Sequence, residues 1–107
     1  MTGREYFTFK RPEITSLFSR ARRIYKSREL DVLSSPKRQE FARLLIITPK
    51  KIGNAPQRNM MKRRLRAIFY ENQLFNGAND LVAIVKKEAI ALPFESLKAT
   101  LCSCATL

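Results

Sequence analysis

Apolar side chains recur at helical spacing in three stretches of the chain, residues 12–21, 56–72 and 93–104. Each stretch begins with a proline, which the first turn of a helix accepts because no backbone N–H donor is needed there. We therefore predict three amphipathic helices, each with one buried face. The apolar positions are Ile14, Leu17, Phe18 and Ala21 in the first helix, Met61, Leu65, Ile68 and Phe69 in the second, and Phe94, Leu97, Leu101 and Cys104 in the third.

The segments between these helices have the patterns of strands. Residues 24–33 alternate and form one strand or two, residues 41–48 form a Leu- and Ile-rich strand that we expect to be central, and the wholly apolar residues 81–85 predict a strand covered on both faces. We expect the first two strand regions to pair antiparallel across a loop at residues 34–39. The predicted fold class is α+β, a small mixed sheet with packed helices in the order α-β-β(-β)-α-β-α.

Length and composition fit one globular domain over residues 1–107. The chain is too short for two domains of ordinary size, and at 45% apolar residues it is too apolar for global disorder. No apolar run reaches the roughly 18 residues of a membrane-spanning helix. The N-terminus lacks the apolar core of a signal peptide, so we expect a cytoplasmic protein.

The net charge of +12 is concentrated in two segments, residues 10–28 and 50–66, which hold 14 of the 21 lysines and arginines. Glu13 is the one acidic residue in these segments, so few carboxylates offset the repulsion between like charges. Such a surplus predicts a polyanionic partner, with nucleic acid as the first candidate and an acidic membrane surface as the second. The basic residues are Lys10, Arg11, Arg20, Arg22, Arg23, Lys26 and Arg28 in the first segment, and Lys50, Lys51, Arg58, Lys62, Arg63, Arg64 and Arg66 in the second.

The side chains offer little for catalysis or metal binding by the protein itself. The chain has no His, which removes Ser-His-Asp and Cys-His catalysis and histidine metal sites. Cys102 and Cys104 are too few for a zinc site, and their spacing in a cytosolic protein disfavours a mutual disulfide. The nine acidic residues are scattered, so we predict no metal site made by the protein alone.

The second helix carries an ordered basic face. Asn59, Arg63 and Arg66 lie close together on one face of the helix, away from its apolar stripe. An arginine guanidinium can form two hydrogen bonds to a phosphate and can stack on a base. Asn54 or Ala55 would cap this helix, with Gln57 near the capping-box position.

Residues 50–66 resemble the signature of the bacterial ribonuclease P protein component, K-K-x-G-x-A-V-x-R-N-x-x-K-R-x-x-R. The chain reads KKIGNAPQRNMMKRRLR and departs from the specified positions only at Pro56, where Val is usual. Because Pro suits the first turn of a helix, this departure fits a helix start. More weakly, Lys10 to Phe18 resembles the first helix of the family, and Asp80 to Ile84 resembles its last strand.

The resemblance implies the protein subunit of ribonuclease P, which removes the 5′ leader of precursor tRNA. In that family the RNA subunit performs the hydrolysis with Mg²⁺. The resemblance therefore implies that the protein supplies no catalytic side chain and alone binds no cofactor. The implied partners are ribonuclease P RNA and precursor tRNA, with no membrane and no obligate protein partner. The family fold also implies a left-handed βαβ crossover, a rare hand. The residues expected to face RNA are Lys50, Lys51, Arg58, Asn59, Lys62, Arg63 and Arg66.

The resemblance further implies a cleft between the first helix and the sheet that binds the single-stranded leader. Lys10, Ile14 and Phe18 are the matching positions, with core packing as the alternative role for Ile14, Leu17 and Phe18. Val32 stands where some members carry an aromatic residue on the sheet, which lessens the expected base stacking.

Two other functions are compatible with the charge. A ribosomal or other structural RNA-binding protein explains the surplus of +12, but not the order of residues 53–66. An interfacial membrane protein needs a bulky apolar helix face with aromatic residues, and the second helix offers Phe69 and Tyr70.

Overall fold

Three α-helices and four β-strands follow one another along residues 3–106, which are the residues that the computed structural model describes. Met1, Thr2 and Leu107 of the predicted domain lie outside the described residues. The element order confirms the predicted α+β class, and the alternating segment that ends at Leu33 contains parts of two strands. The elements are α1 at Arg11–Arg20, β1 at Arg22–Lys26, β2 at Leu30–Pro36, β3 at Leu44–Ile47, α2 at Ala55–Glu71, β4 at Asn79–Val85 and α3 at Phe94–Ala105.

The strands form one mixed sheet in the order β1-β2-β4-β3. β2 pairs antiparallel with both β1 and β4, whereas β3 runs parallel to β4. The predicted antiparallel pairing across residues 34–39 is therefore wrong, because β4 lies between β2 and β3. The prediction of a central strand at residues 41–48 is also wrong, since β3 is an edge strand and the apolar β4 takes the interior position.

The loop after β2 begins later than the pattern predicts. Ser34, Ser35 and Pro36 extend β2 because they pair with Leu81, Asp80 and Asn79 at the start of β4. Proline is accepted there because it ends the strand. Helix α2 connects the parallel strands β3 and β4, and the left-handed sense of this crossover stays a prediction from the family resemblance.

The main core lies on one face of the sheet, under α2 and α3. All four side chains of the predicted α2 stripe are completely buried. In α3, Leu97, Leu101 and Cys104 are buried, whereas Phe94 is half-buried at the edge of the same cluster. The sheet contributes Val32 and other residues of the same face to this core. Each large apolar side chain buried in this way contributes about 1.5–3 kcal/mol to folding.

Helix α1 covers part of the opposite face of the sheet. Leu17 is 1% exposed, yet it stands outside the main core cluster. One guanidinium nitrogen of Arg20, at the end of α1, donates to Ser35 Oγ over 2.8 Å. Near the start of α1, Glu13 Oε2 lies 3.0 Å from the guanidinium of Arg43, which precedes β3. Both ends of α1 are therefore tied to the sheet by polar contacts.

A capping box begins α2 as predicted, and Asn54 is the cap. The Gln57 N–H donates to Asn54 Oδ1 over 2.9 Å, and the Asn54 N–H donates to Gln57 Oε1 over 2.9 Å. Gly53 leaves room for this exchange, because a Cβ at that position would collide with Gln57 Oε1 and lie 2.9 Å from Ile90 Cδ1. No helix within residues 3–106 has the length and apolar character needed to cross a bilayer.

A nearly buried carboxylate with two basic partners lies at the start of β2. Asp31 is 6% exposed, its Oδ1 lies 2.9 Å from Lys86 Nζ, and its Oδ2 lies 3.8 Å from the Arg23 guanidinium. Burial by itself raises the pKa of the Asp31 carboxyl. The hydrogen bond and charge of Lys86, with smaller contributions from Arg23 and the Ser27 backbone, outweigh burial and hold this pKa below its ordinary value.

We expect Asp31→Asn to destabilise the fold at neutral pH by about 1–2 kcal/mol, the usual cost of losing a charge-assisted hydrogen bond. Because the pKa of Asp31 is lowered in the folded state, its contribution is complete above the unfolded pKa and disappears as the pH falls through the folded pKa. The free energies of unfolding of wild type and variant, measured with denaturant, should therefore begin to converge below about pH 4 and become equal below the folded pKa. A difference that does not narrow as the pH falls would contradict this assignment, and Glu88→Gln, at an exposed position, is the matched control.

Candidate RNA-binding surface

The outer face of α2 is exposed and basic. Asn59, Arg63 and Arg66 are all exposed on this helix, opposite the buried stripe. Within residues 3–106, the ion pairs involve Arg23, Arg43 and Lys86, so no carboxylate neutralises this face. Because Arg63 and Arg66 lie about one turn apart on the same helix, they form a positive strip on its outer face.

Two predicted RNA contacts are less accessible than the rest. Lys62 and Arg58 are half-buried, and the Arg58 Nε is buried without a hydrogen-bond partner among the described residues. Arg64, by contrast, makes a contact within the fold, because its guanidinium donates a long hydrogen bond to the Leu92 carbonyl over 3.4 Å. This contact braces α2 against the segment before α3.

A short helical turn, Lys50–Ile52, presents the two lysines that precede α2. Ile52 is buried and anchors the turn, which leaves Lys50 and Lys51 exposed. Lys51 also lines a groove of about 470 Å³ together with Ile84 and Lys86. The turn therefore lies between the outer surface of α2 and the second face of the sheet, which is the face that α1 partly covers.

Helix α1 exposes two of the three residues predicted for the leader cleft. Lys10, at the cap position of α1, is exposed, and its backbone N–H donates to Glu13 Oε1 over 2.9 Å. Phe18 is 40% exposed, and Ile14 is half-buried. The alternative role of core packing is confirmed for Leu17, which is buried.

The open part of the second sheet face has an apolar floor. Cross-strand pairing aligns Leu33, Val82 and Leu45 in one row of the sheet, and Ile84 pairs with Ile47 in another. Four of these side chains are half-buried, and Val82 is fully buried. The sequence analysis missed these residues, although the period-two alternation of strands would have grouped them.

Val32 does not belong to this floor. It is completely buried in the main core, on the face that carries α2. The expectation that Val32 affects base stacking in the cleft is therefore wrong, because neighbouring strand positions face opposite sides. Leu33, the next residue, lies on the cleft face.

Arg43 positions the cleft helix, a role that the sequence analysis did not assign. It is 13% exposed, pairs with Glu13, donates to the Thr8 carbonyl over 3.1 Å and covers the Phe9 ring at 4.3 Å. A backbone hydrogen bond from Lys10 and, next, the Arg43 hydrogen bond lower the pKa of Glu13, despite some burial. An ionised Glu13 therefore keeps α1 attached over the sheet.

Asp80 fixes the start of both parallel strands. Its Oδ1 accepts hydrogen bonds from the Arg43 N–H over 2.8 Å and from Gln39 Nε2 over 3.1 Å. Burial raises the pKa of Asp80, although these hydrogen bonds and the Arg43 charge oppose the shift. The role of this carboxylate is to hold the register of β3 beside β4.

Within the described part of the chain, no group of three or more potential metal-ligating side chains comes together. Cys102 and Cys104 are free thiols, half-buried and buried respectively. Burial raises the pKa of the Cys104 thiol.

Comparisons with known proteins agree with this architecture. The family model described as Ribonuclease P matches residues 4–106. The chain is 35% identical over 99 residues to the ribonuclease P protein component of Phytoplasma australiense, across 91% of this chain and 85% of that protein.

Solved structures show the same fold. The RNase P proteins of Staphylococcus aureus and Thermotoga maritima each match with a TM-score of 0.78 and 23% identity over 92% of this chain. The match covers 90% of the first structure and 94% of the second. With a family match over nearly the whole length and a bacterial relative this similar, the chain belongs to the ribonuclease P protein family.

Proposed function

We propose that this protein is the accessory subunit of a bacterial ribonuclease P that binds the catalytic RNA and the 5′ leader of precursor tRNA in the cytoplasm. The RNA subunit would perform the phosphodiester hydrolysis, with Mg²⁺ supplying the metal-ion chemistry. This chain would supply binding energy and positioning, without an obligate protein partner.

The observation that carries the proposal is the unpaired basic strip of α2. Exposed arginines without a neighbouring carboxylate, here Arg63 and Arg66, bind a phosphate backbone well, because each guanidinium fork can take two phosphate oxygens. If six to ten phosphates are contacted, the affinity for RNA should fall by a factor of roughly 10³–10⁵ when the salt concentration rises from 50 to 200 mM. The proposed RNA contacts are Lys50, Lys51, Arg58, Asn59, Lys62, Arg63 and Arg66.

The second binding region is the cleft beside α1. Phe18 exposes an aromatic ring beside an open, apolar sheet face, and Lys10 adds a positive charge at the start of the same helix. These groups suit a single strand, since bases stack on aromatic rings and basic groups bind the backbone. The α2 strip and the cleft lie on opposite sides of the sheet, so the RNA subunit and the leader of its substrate would be bound on separate surfaces of the protein.

The decisive experiment is reconstitution with a bacterial ribonuclease P RNA and precursor tRNA at low Mg²⁺. We expect the protein to accelerate 5′ cleavage, because its positive charge replaces part of the counterion requirement of the RNA. Protein without the RNA is the control and should give no cleavage. Unchanged cleavage on adding the protein, with binding to ribosomal subunits instead, would favour a structural RNA-binding role.

We expect Arg63→Ala to weaken binding to ribonuclease P RNA and to lower the slope of log affinity against log salt by about one. The reason is the loss of one phosphate contact. Arg38→Ala is the matched control, because it removes the same charge from an exposed loop outside both basic segments. Equal slopes for wild type and Arg63→Ala would remove Arg63 from the interface.

We expect Phe18→Ala to raise the KM of the reconstituted enzyme for precursor tRNA about tenfold, within the range of one lost base–aromatic contact. The same substitution should leave binding of a substrate without a leader unchanged. Leu17→Ala provides the contrast, because a buried leucine costs about 2–5 kcal/mol of stability when truncated. An equal loss of affinity for precursor tRNA and for tRNA without a leader would argue against leader binding at Phe18.

A further inference from the structure

The N-terminal segment and the second half of α2 enclose a groove of about 530 Å³ that is separate from the leader cleft. Its walls include Phe7, Arg66 and Tyr70. Tyr70 and Phe18 are the two large apolar side chains that stand out as exposed in the described chain, and they lie on different helices. Exposure of Tyr70 therefore marks a second aromatic surface.

We propose that this groove binds one unpaired nucleotide of an RNA, with its base stacked on Tyr70 and its phosphate bound by Arg66. The proposal rests on the RNA-binding function above and adds a contact site to it.

The Tyr70 ring is held in position before any ligand arrives. It is 48% exposed, and its centroid lies 6.1 Å from the Tyr6 ring and 6.0 Å from the Phe75 ring. Gly3 closes against the ring edge with a φ of +90°, and a Cβ there would lie 3.1 Å from Tyr70 Cε1. A fixed ring loses little conformational entropy when a base stacks on it.

The support behind the ring is itself rigid. Tyr6 is 4% exposed, and its ring stacks on Phe75 with a centroid distance of 4.3 Å and an interplanar angle of 4°. Phe41 and Phe69 contact the same tyrosine edge-on and at a tilt, at 5.2 and 6.5 Å. The exposed face of Tyr70 is thus the outer surface of a buried aromatic cluster.

The charge beside the ring favours a nucleic acid over another occupant. Arg66 is exposed one turn before Tyr70 on α2, and its guanidinium carbon lies 5.9 Å from the Phe7 ring centroid. Arg63 precedes Arg66 by three positions, so the groove continues the basic strip of α2. No acidic side chain from residues 3–106 lines the groove. An aromatic face beside an arginine at the end of a basic strip matches a base and its phosphate.

The absence of tryptophan from the chain allows a direct test. Tyr70→Trp places a single fluorophore on the proposed stacking surface of the full-length protein. We expect a single-stranded oligouridylate of about ten nucleotides, within the usual site size, to quench its emission. An abasic chain of the same length should bind through phosphates but quench much less. Adding the Arg66→Ala substitution to this variant should lower the affinity for oligouridylate about tenfold.

The controls separate stacking from loss of structure. Tyr25→Trp places the fluorophore on β1, away from the groove, and should show no quenching. Tyr70→Phe should keep the wild-type affinity for oligouridylate, whereas Tyr70→Leu should lose about tenfold, which corresponds to about 1.4 kcal/mol. Equal thermal unfolding of the Phe and Leu variants would show that both fold.

Two outcomes would overturn this site while leaving the proposed function standing. One is equal quenching by the abasic chain, or no quenching at all, while RNA binding still depends on Arg63. The other is a concentration-dependent dimer that Tyr70→Leu abolishes, which would assign the groove to a second copy of the chain. If the wild-type protein neither binds ribonuclease P RNA nor stimulates cleavage, the proposed function itself fails, and the nucleotide site fails with it.

Discussion

The burial of one stripe of α2 between the sheet and α3 is the interaction on which the rest of the structure depends. Met61, Leu65, Ile68 and Phe69 are completely enclosed, and each contributes about 1.5–3 kcal/mol. Repulsion between neighbouring like charges on a helix surface costs only a few tenths of a kcal/mol for each pair. The stripe can therefore hold a strongly basic helix in place, and it orients every basic residue of the opposite face towards solvent.

The position of α2 also decides how the two sides of the sheet are used. Because α2 and α3 cover one face, the other face is left to the short helix α1, which covers it only in part. The buried Leu17 holds α1 there together with two polar contacts, Arg43 with Glu13 and Arg20 with Ser35. The part of this face that α1 leaves uncovered is the apolar floor of the cleft. The few carboxylates that form ion pairs lie away from α2, so its positive strip is not neutralised within the described chain.

Local sequence patterns predict the helices well, whereas strand order and long-range contacts depend on partners distant in sequence and were not predicted. The periodicity and the capping residues place α2 within one residue of its observed ends, because both signals depend on neighbours three or four positions away. Strand order has no such signal: Leu45 and Ile47 make β3 look central, although they belong to a half-open cleft at the sheet edge. For the same reason Arg43 and Arg64 could not be told apart from exposed arginines, since their roles depend on carbonyl and carboxylate partners distant in sequence. The contacts assigned to the exposed basic residues stay predictions.

The central place of β4 has a consequence for how the chain is made. β2 and β3 leave the ribosome first, but each of them needs β4 as its neighbour, and Leu30 pairs with Val85 near the end of that strand. Until β4 emerges, the nascent chain therefore holds open strand edges and an uncovered α2 stripe, both of which are prone to association. Sheet closure is thus a late step that awaits the synthesis of β4.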